Sequence, residues 1–329
     1  MEITVARAGM MTTVQDAGRS GCRASGVPLS GPMDPFAFRV ANMLAGNPED
    51  LAGLEITLSG PELEFSQDVR IAVCGAEFSG LPSWRPLFAR AGERVRFGEC
   101  RKGCRAYLAV AGGISVPRVM GSRSTYLRGG LGGFRGRALR DGDLLEAGSD
   151  TAAPVPAGSV GSAPRKFEGP APRKFEGSFF VSPFLMPAYC ASPIVRVVRG
   201  AQAGEFFEAL GSGEFRVTAH SDRMGLRLSG GAIGRHSGGE LASSAVAPGT
   251  IQVPPDGQPI VLMADAQSIG GYPQAAHAIT VDLPILAQLR PGDALRFREV
   301  PLDEAQHEIL KRERELAVLR EGVRQRLFS

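Results

Sequence analysis

Glycine and proline are spread along the whole chain, and this feature constrains the fold more than any other. The sequence has 43 glycines and 24 prolines among 329 residues, about a fifth of the total, where average usage would give roughly an eighth. These two residues are the most destabilising in a helix interior, so a helical bundle or coiled coil is excluded. Because 43% of the residues are apolar and the formal net charge is +3, the composition does not indicate a disordered chain. Short strands joined by many turns are predicted.

Strand-like runs separated by glycine and proline occupy the first part of the sequence, from residue 1 to about 148. Apolar and polar residues alternate at 70–73 and 94–97, as in strands with one buried face. One early helix is predicted to begin after Asp34, with Asp34 as its N-cap and Pro35 at its first position, and to end at Gly46. We therefore predict an N-terminal β-barrel-like domain over residues 1–148.

The composition then changes twice. Residues 149–180 are rich in alanine, proline, glycine and serine and contain the sequence APRKFEG at 163–169 and again at 171–177, which is typical of a linker. Strand-like runs resume over 181–301, predicting a second β domain. Over 302–329 apolar residues recur at helical spacing, at Ile309, Leu316, Leu319, Val323 and Leu327. This pattern predicts a C-terminal amphipathic helix that covers the body of the protein or a partner subunit.

Several functional classes are disfavoured by what the sequence lacks. No apolar run approaches the roughly 18 residues of a membrane helix, the N-terminus does not read as a signal peptide, and five scattered cysteines are not a disulfide framework. No P-loop, HExxH or GxSxG motif occurs, and the chain has four histidines, so a histidine triad or metal centre is not expected. We predict a soluble cytoplasmic protein that binds neither nucleic acid nor membrane.

Four clusters that combine polar side chains with glycine are the candidate sites. Arginine can present its planar fork to a carboxylate or phosphate, and glycine lets the backbone approach an anion closely. Aspartate and threonine in such clusters can equally satisfy turn backbone groups, so both interpretations stay open. The clusters are residues 12–19 with 26–34, residues 121–125 with the glycine-rich 129–137, residues 221–225, and Gln252 with residues 264–273.

The order of these clusters resembles one family. The resemblance rests on the segments TTVQDAGR, GVPLSGPMDPFAFRVANMLAGNPE, YLAVAGGI, MGSRST, SDRMGLRL, GTIQVPPDGQPIVLMADAQSIGGYP and AQLRPGD. Together they are similar to the biotin-dependent carboxyltransferase, or allophanate hydrolase subunit 2, family over nearly the whole chain outside 149–178 and the C-terminal helix. The resemblance implies a mainly β fold of two cyclophilin-like β-barrel domains with few helices, to which the C-terminal amphipathic helix is added.

The resemblance also implies a function, because bacterial members of this family include the C component of 5-oxoprolinase. The implied activity is ATP-dependent cleavage of 5-oxo-L-proline to L-glutamate, with a B-type subunit of the allophanate hydrolase subunit 1 family and an A subunit as partners and ATP as a substrate of the complex. Two alternatives are the carboxyltransferase half of a biotin-dependent urea carboxylase system and a non-catalytic antagonist of a kinase-inhibitor protein. The chain has no AMKM-type biotinyl-lysine motif, so biotin would enter only through the carboxyltransferase alternative.

The candidate clusters receive roles if the implied activity holds. Opening an unactivated lactam requires oxyanion stabilisation and positioning of two ligands rather than a histidine nucleophile. The expected catalytic residues are Asp16, Arg19, Arg123 and Gln267. The expected substrate-binding residues are Gln15, Asp34, Ser124, Thr125, Asp222, Arg223, Gln252, Gly270, Gly271 and Tyr272.

Three positions depart from the pattern of the family. Gln274 follows the GYP segment where lysine or arginine is common, Ser268-Ile269 stands where two threonines are frequent, and Ser244 stands where an acid is usual. If the missing cation contacts an anionic substrate, its loss predicts an altered specificity or a lower activity.

Overall fold

The computed structural model describes residues 1–148, 179–234 and 241–328. The two APRKFEG repeats and nearly all of the predicted linker lie outside the described residues. In the first described segment, ten strands and one helix follow one another. These are β1 (Glu2–Arg7), β2 (Met11–Gln15), α1 (Pro35–Ala45), β3 (Gly53–Thr57), β4 (Glu62–Phe65), β5 (Val69–Phe78), β6 (Pro86–Ala89), β7 (Arg94–Arg96), β8 (Cys100–Val110), β9 (Ile114–Ser115) and β10 (Leu144–Ala147).

The remaining described segments contain nine strands and three helices. These are β11 (Ile194–Arg199), α2 (Ala203–Ser212), β12 (Glu214–Val217), β13 (Gly225–Ser229), β14 (Ser244–Ala245), β15 (Thr250–Gln252), β16 (Ile260–Leu262), β17 (Ile269–Gly270), β18 (Gln274–Ala278), α3 (Leu283–Ala287), β19 (Ala294–Glu299) and α4 (Leu302–Phe328).

The strands of the first half divide between two five-stranded sheets. One sheet has the order β7-β4-β1-β10-β9 and the other the order β2-β3-β8-β5-β6. The chain changes sheet through the short connections 8–10, 58–61 and 66–68, and alternate side chains of both sheets turn inward to one core. Fully buried residues from the two sheets meet there, among them Ile3, Phe65, Leu54 and Ile56. The first half is therefore a sandwich of two facing sheets.

The second half contains a closed barrel of seven strands, in the order β11-β18-β15-β16-β13-β12-β19. The parallel pairing of β11 with β19 closes it, with Val195 opposite Phe297. Val195, Phe215, Ile251 and Leu295 fill the interior and are almost wholly inaccessible to solvent. The predicted mainly β fold with few helices, a barrel in the second half and a C-terminal helix is confirmed. The first half was predicted as a second barrel-like domain, and its described strands instead form two separate five-stranded sheets, because no strand of one sheet pairs with a strand of the other.

Helix α1 has the predicted boundaries for the predicted reason. The Asp34 carboxylate accepts a hydrogen bond from the Ala37 backbone N–H at 2.9 Å, and the helix ends at Gly46 in the left-handed conformation with φ 81°. Such caps satisfy backbone groups that a helix end leaves without partners. Phe36 and Leu44 of this helix pack with Tyr107 of β8 on the outer face of the second sheet.

Helix α4 lies across both halves of the molecule. Leu316 and Val323 are buried in the cluster that includes α1, while Ile309 packs beside the barrel. Ion pairs fasten the same helix, since Arg39 of α1 donates to both Glu313 oxygens at 2.5 and 2.8 Å. The predicted amphipathic helix that covers the body of the protein is confirmed. None of the helices within the described residues is long and apolar enough to cross a membrane.

Truncating the buried face of α4 should destabilise the protein. Leu316→Ala removes a side chain that is 1% exposed, so we expect the free energy of unfolding to fall by about 2–4 kcal/mol. Val318→Ala is the matched control on the same helix, where the side chain is 74% exposed and the change should stay within about 0.5 kcal/mol. Urea unfolding of both variants tests this, and equal effects would show that α4 does not pack on the body as described.

Candidate functional site

A buried ion cluster joins the two halves of the molecule. Arg223, in the loop before β13, donates to both Asp265 oxygens at 2.9 and 3.1 Å and to the Gly31 carbonyl oxygen at 2.6 Å. Its remaining terminal nitrogen donates to Glu55 of β3, which belongs to the sandwich. Arg223 is 4% exposed and Glu55 is 1% exposed. A single guanidinium therefore links barrel and sandwich.

The charges of this cluster are compensated inside the protein. Burial opposes ionisation of Glu55, but Arg223 and Arg105, with hydrogen bonds from the Met33 N–H and the Tyr107 hydroxyl, outweigh it and hold the pKa of Glu55 below its ordinary value. Burial likewise opposes the charge of Arg223, and the two carboxylates outweigh it, so the pKa of Arg223 is raised. The cluster is a buried triad of one arginine and two carboxylates, and removal of Arg223 would leave both carboxylates buried without the cation they share.

Asp34 lies in a second buried network beside the first. Its Oδ2 accepts hydrogen bonds from the Tyr189 hydroxyl at 2.7 Å and from Gln288 Nε2 at 2.9 Å. Gln288 Oε1 in turn accepts from the backbone N–H groups of Cys104 and Arg105 at 2.9 and 3.0 Å. Burial is the largest influence on Asp34 and raises its pKa to about 6, although its hydrogen bonds oppose the shift. Asp34 thus caps α1 and connects sandwich to barrel.

Asp16 forms the centre of a third network, which ties the loop after β2 to residues 122–124. Its Oδ1 accepts from the hydroxyl groups of Ser122 and Ser124 at 2.5 and 2.6 Å, and its Oδ2 accepts from the Arg123 N–H at 2.5 Å. Arg19 is 1% exposed and donates to the carbonyl oxygens of Val119 and Ser124. The network holds two loops together from their interior.

The neighbouring predicted residues extend this third network. Gln15 Nε2 donates to Thr13 Oγ1 at 3.0 Å and to the Thr125 carbonyl oxygen at 3.2 Å. The Thr125 hydroxyl donates to the Val14 carbonyl oxygen at 2.9 Å. Arg123 is half-buried, and its Nε donates to the Val116 carbonyl oxygen at 2.9 Å.

The glycine-rich loop at 129–137 packs tightly against these residues. A Cβ at Gly133, where φ is +53°, would lie 1.8 Å from Thr125 Oγ1, and one at Gly132 would lie 2.2 Å from the Arg19 guanidinium. At these two positions the absence of a side chain is required by internal packing. Internal packing therefore accounts for Gly132 and Gly133, whereas Gly130 faces open space.

A cleft of about 490 Å³ opens on the barrel and receives one residue from the sandwich half. Gln252 and Gln267 bring amide groups to it, and Arg128 from the sandwich side overhangs it. Both signs of charge are present, because Asp222 and Asp256 face the same cleft as Arg128, Arg227 and His220. Tyr272 lies at its edge with 46% of its surface exposed. Such a mixture of amide, cationic and acidic groups suits a small zwitterionic or amide-containing ligand.

A second cavity, of about 650 Å³, is lined by residues of the two-stranded β14–β17 ribbon, among them Ala245 and Ile269. The Arg23 loop also lines it, and Arg23 donates a hydrogen bond to the Val246 carbonyl oxygen. His277 and Thr250 meet at its wall, 3.2 Å apart, and burial lowers the pKa of His277. Gln267 lines both cavities, which are therefore neighbours at this residue.

Comparison with known proteins decides the family. The family model described as "Carboxyltransferase domain, subdomain A and B" matches residues 25–299 of this chain. The chain belongs to this carboxyltransferase family. It is 39% identical to the C component of Escherichia coli 5-oxoprolinase over 92% of this chain and 93% of that protein. It is 35% identical to the C component of Haemophilus influenzae 5-oxoprolinase over 89% of each chain.

A solved structure of another relative has the same fold. The urea amidolyase of K. lactis superimposes with a TM-score of 0.82 at 30% identity, covering 96% of this chain. This carboxyltransferase chain spans about a fifth of the length of that enzyme. The same fold therefore occurs within a much longer protein.

The predicted site residues of this family member fall in three places. The loop network contains Gln15, Asp16, Arg19, Arg123, Ser124 and Thr125, and the contact between the two halves contains Asp34 and Arg223. The cleft and the ribbon beside it contain Asp222, Gln252, Gln267, Gly270, Gly271 and Tyr272. The adjacent residues Asp222 and Arg223 turn opposite ways, since Asp222 lines the cleft and Arg223 is buried. Catalytic roles for Asp16, Arg19 and Arg123 stay predictions, and their contacts favour positioning.

Sequence reasoning missed several residues of the site. The sequence did not predict Arg128, His220 and Arg227 of the cleft or Arg23 of the second cavity. Each of these residues lies on a loop or strand that contains no recognisable catalytic motif. The Gln274 side chain, in place of a cation, donates to Ser244 Oγ at 2.9 Å and to the Ala245 carbonyl oxygen at 3.1 Å. Two of the three departures from the family pattern, Gln274 and Ser244, therefore contact each other at the β14–β17 ribbon.

The ionisation of Asp34 should make stability depend on pH. The unfolded chain releases this proton near pH 3.8 and the folded protein near pH 6, so the folded state binds the proton more tightly between these values. The stability contributed by protonated Asp34 is fully present below pH 3.8 and is lost as the pH rises through about 6. Relative to Asp34→Asn, which does not titrate, the native protein should lose about 2 kcal/mol between pH 4 and pH 7.

Urea unfolding of both proteins across this range is the measurement. Any constant cost of the asparagine cancels, because only the change of the difference with pH matters. Asp50→Asn alters an exposed carboxylate and should follow the native profile. A difference that is flat across the range would contradict the buried, proton-binding environment of Asp34.

Two substitutions in the glycine-rich loop test whether internal packing requires a glycine at position 133. Gly130 and Gly133 both have positive φ, but a Cβ at Gly130 meets nothing within 4 Å. Gly130→Ala should therefore cost only about 1–2 kcal/mol of left-handed strain. Gly133→Ala should lower the free energy of unfolding by about 1–3 kcal/mol more than Gly130→Ala does, because the new methyl group overpacks against Thr125. Thermal or urea unfolding measures both, and equal costs would refute the packing explanation.

Proposed function

We propose that this chain is the C component of an ATP-dependent 5-oxoprolinase, which cleaves 5-oxo-L-proline to L-glutamate together with partner subunits. The observation that carries the proposal is the end-to-end similarity to the C component of E. coli 5-oxoprolinase, at 39% identity over 92% of this chain and 93% of that protein. The urea amidolyase relatives share only a small part of their length with this chain. A B-type subunit and an A subunit are the proposed partners.

The cleft on the barrel supports this assignment through its chemistry. The substrate has a carboxylate and a ring amide whose N–H donates and whose carbonyl oxygen accepts. Arg128 and Arg227 face the cleft as cations for the carboxylate. Gln252 and Gln267 offer both a donor and an acceptor and so match the two edges of the lactam amide.

These residues would bind and orient the substrate. A lactam carbonyl is stabilised by resonance with its nitrogen, and ATP supplies the activation that water alone lacks. The chain contains no P-loop motif, and loop 129–137 packs internally, so these segments do not fit a nucleotide site and we assign nucleotide binding to a partner subunit. The contribution of this chain is to fix the ring amide and the carboxylate, which lowers the entropic cost of reaching the transition state.

The assembled complex tests the proposal. Co-expression with the A and B subunits should give glutamate release that depends on both 5-oxoproline and ATP. Gln267→Ala should lower kcat/KM at least roughly tenfold, because the substrate amide loses a partner, while complex assembly is retained. Gln325→Ala, an exposed position on α4, is the matched control and should leave kcat/KM unchanged.

Two results would overturn this assignment. An intact complex that releases no glutamate would refute the activity. An active complex whose kcat/KM is insensitive to Gln267→Ala would refute the site.

Carboxyl transfer from biotin is the second candidate, favoured by the TM-score of 0.82 to urea amidolyase. Under this function biotin on a separate carrier would be the cofactor. Addition of a biotin carboxylase, its carrier, bicarbonate, ATP and urea would then consume urea in the presence of this chain. Urea consumption together with absent glutamate release would favour the second candidate over the first.

A further inference from the structure

An apolar groove runs along α4, and none of its lining residues lines either cavity described above. It encloses about 640 Å³ between α4 and the segment 179–185. Leu319 and Val318 line it from the helix and Phe180 from the opposite wall. Val318 and Phe180 are 74% and 58% exposed. The groove therefore lies beside the packing of α4 on the body of the protein and leaves these two apolar side chains open to solvent.

The charged residues that line the groove are mostly basic. Lys311, Arg314 and Arg326 face it together with His307, whereas Glu315 is its one acidic lining residue among those described. Glu315 lies 3.6 Å from Arg312 and is thereby partly neutralised. No salt bridge joins Lys311, Arg314 or Arg326 to another described residue. An apolar floor with such cations at its edge attracts a ligand that is apolar on one side and acidic beside it.

Two other occupants match this surface less well. Residues 149–178 immediately precede the groove in sequence, but they contain four basic and three acidic residues, so they bring no net negative charge. A second copy of the same groove would place cations opposite cations in a two-fold contact.

We propose that this groove is the docking surface for an acidic amphipathic helix of another polypeptide chain. Such a helix would lay its apolar side against Val318, Leu319 and Phe180 and its flanking carboxylates beside Lys311 and Arg314. Assigning the helix to a partner subunit rests on the proposed function; the docking surface itself does not.

Binding of a synthetic peptide to the full chain tests the surface independently of turnover. The probe is a fluorescent amphipathic helix with leucine on one side and glutamate on both flanks, and its counterpart carries lysine instead of glutamate. We expect the acidic peptide to bind and the basic one not to. Val318→Glu, and Lys311→Glu with Arg314→Glu, should each weaken binding at least roughly tenfold.

Matched controls lie outside the groove. Leu310→Glu changes an apolar residue of the same helix that is 57% exposed and does not line the groove, and Arg298→Glu reverses an exposed charge elsewhere. Both should bind the acidic peptide as the native chain does.

Several outcomes would overturn the proposal. They are absence of binding, equal binding of both peptides, or equal loss in the Leu310→Glu control. A gain of roughly tenfold when 163–177 is replaced by glycine and serine of equal length would show that this segment occupies the groove, and a dimer dissociated by Val318→Glu would show that a second copy does. Because no assay here measures glutamate, failure of the surface is distinguishable from failure of the proposed function.

Discussion

The contact of Arg223 with Glu55 and Asp265 is the interaction on which the rest of the structure depends. It is buried, it spans the two halves, and each oxygen and nitrogen involved has a partner. A buried ion cluster adds little net stability compared with apolar packing, but it tolerates only one geometry. We infer that its value here is orientation: it sets how the sandwich faces the barrel. That orientation also places Arg128 of the sandwich half at the cleft, whose other lining residues belong to the barrel half.

The buried charged groups and the partly exposed charged groups have different roles. The fully buried ionic groups serve the framework, while the cleft presents partly exposed groups of both signs. A sequence that places Asp222 next to Arg223 uses one short loop for both purposes, since the Asp222 carboxylate accepts from the Met224 N–H at 2.8 Å and stays accessible at the cleft. Two adjacent residues of this loop thus have separate roles, Arg223 in the framework and Asp222 at the cleft.

Local features of the fold could be predicted from the sequence, whereas contacts between residues far apart in the sequence could not. The start and end of α1 were predictable because Asp34, Pro35 and Gly46 act on their immediate neighbours, and the apolar stripe of α4 because it repeats within one helix. The role of Arg223 was not, because its partner Glu55 lies 168 positions away and no local pattern pairs them. The packing role of Gly132 and Gly133 was also not predictable, because glycines needed for tight packing and glycines of an anion-binding loop look alike in a sequence until their contacts with Thr125 and Arg19 are known.

The β14–β17 ribbon beside the second cavity is a short element. It pairs Ser244 with Gly270 and Ala245 with Ile269, the Val246 N–H donates to the Ser268 carbonyl oxygen at 3.1 Å, and the Gln274 side chain adds two hydrogen bonds. All three departures from the family pattern, at Ser244, Ser268-Ile269 and Gln274, therefore meet at this one element. Because these residues are in contact, a substitution at one of them changes the surroundings of the others, and their effects on stability are not expected to be additive.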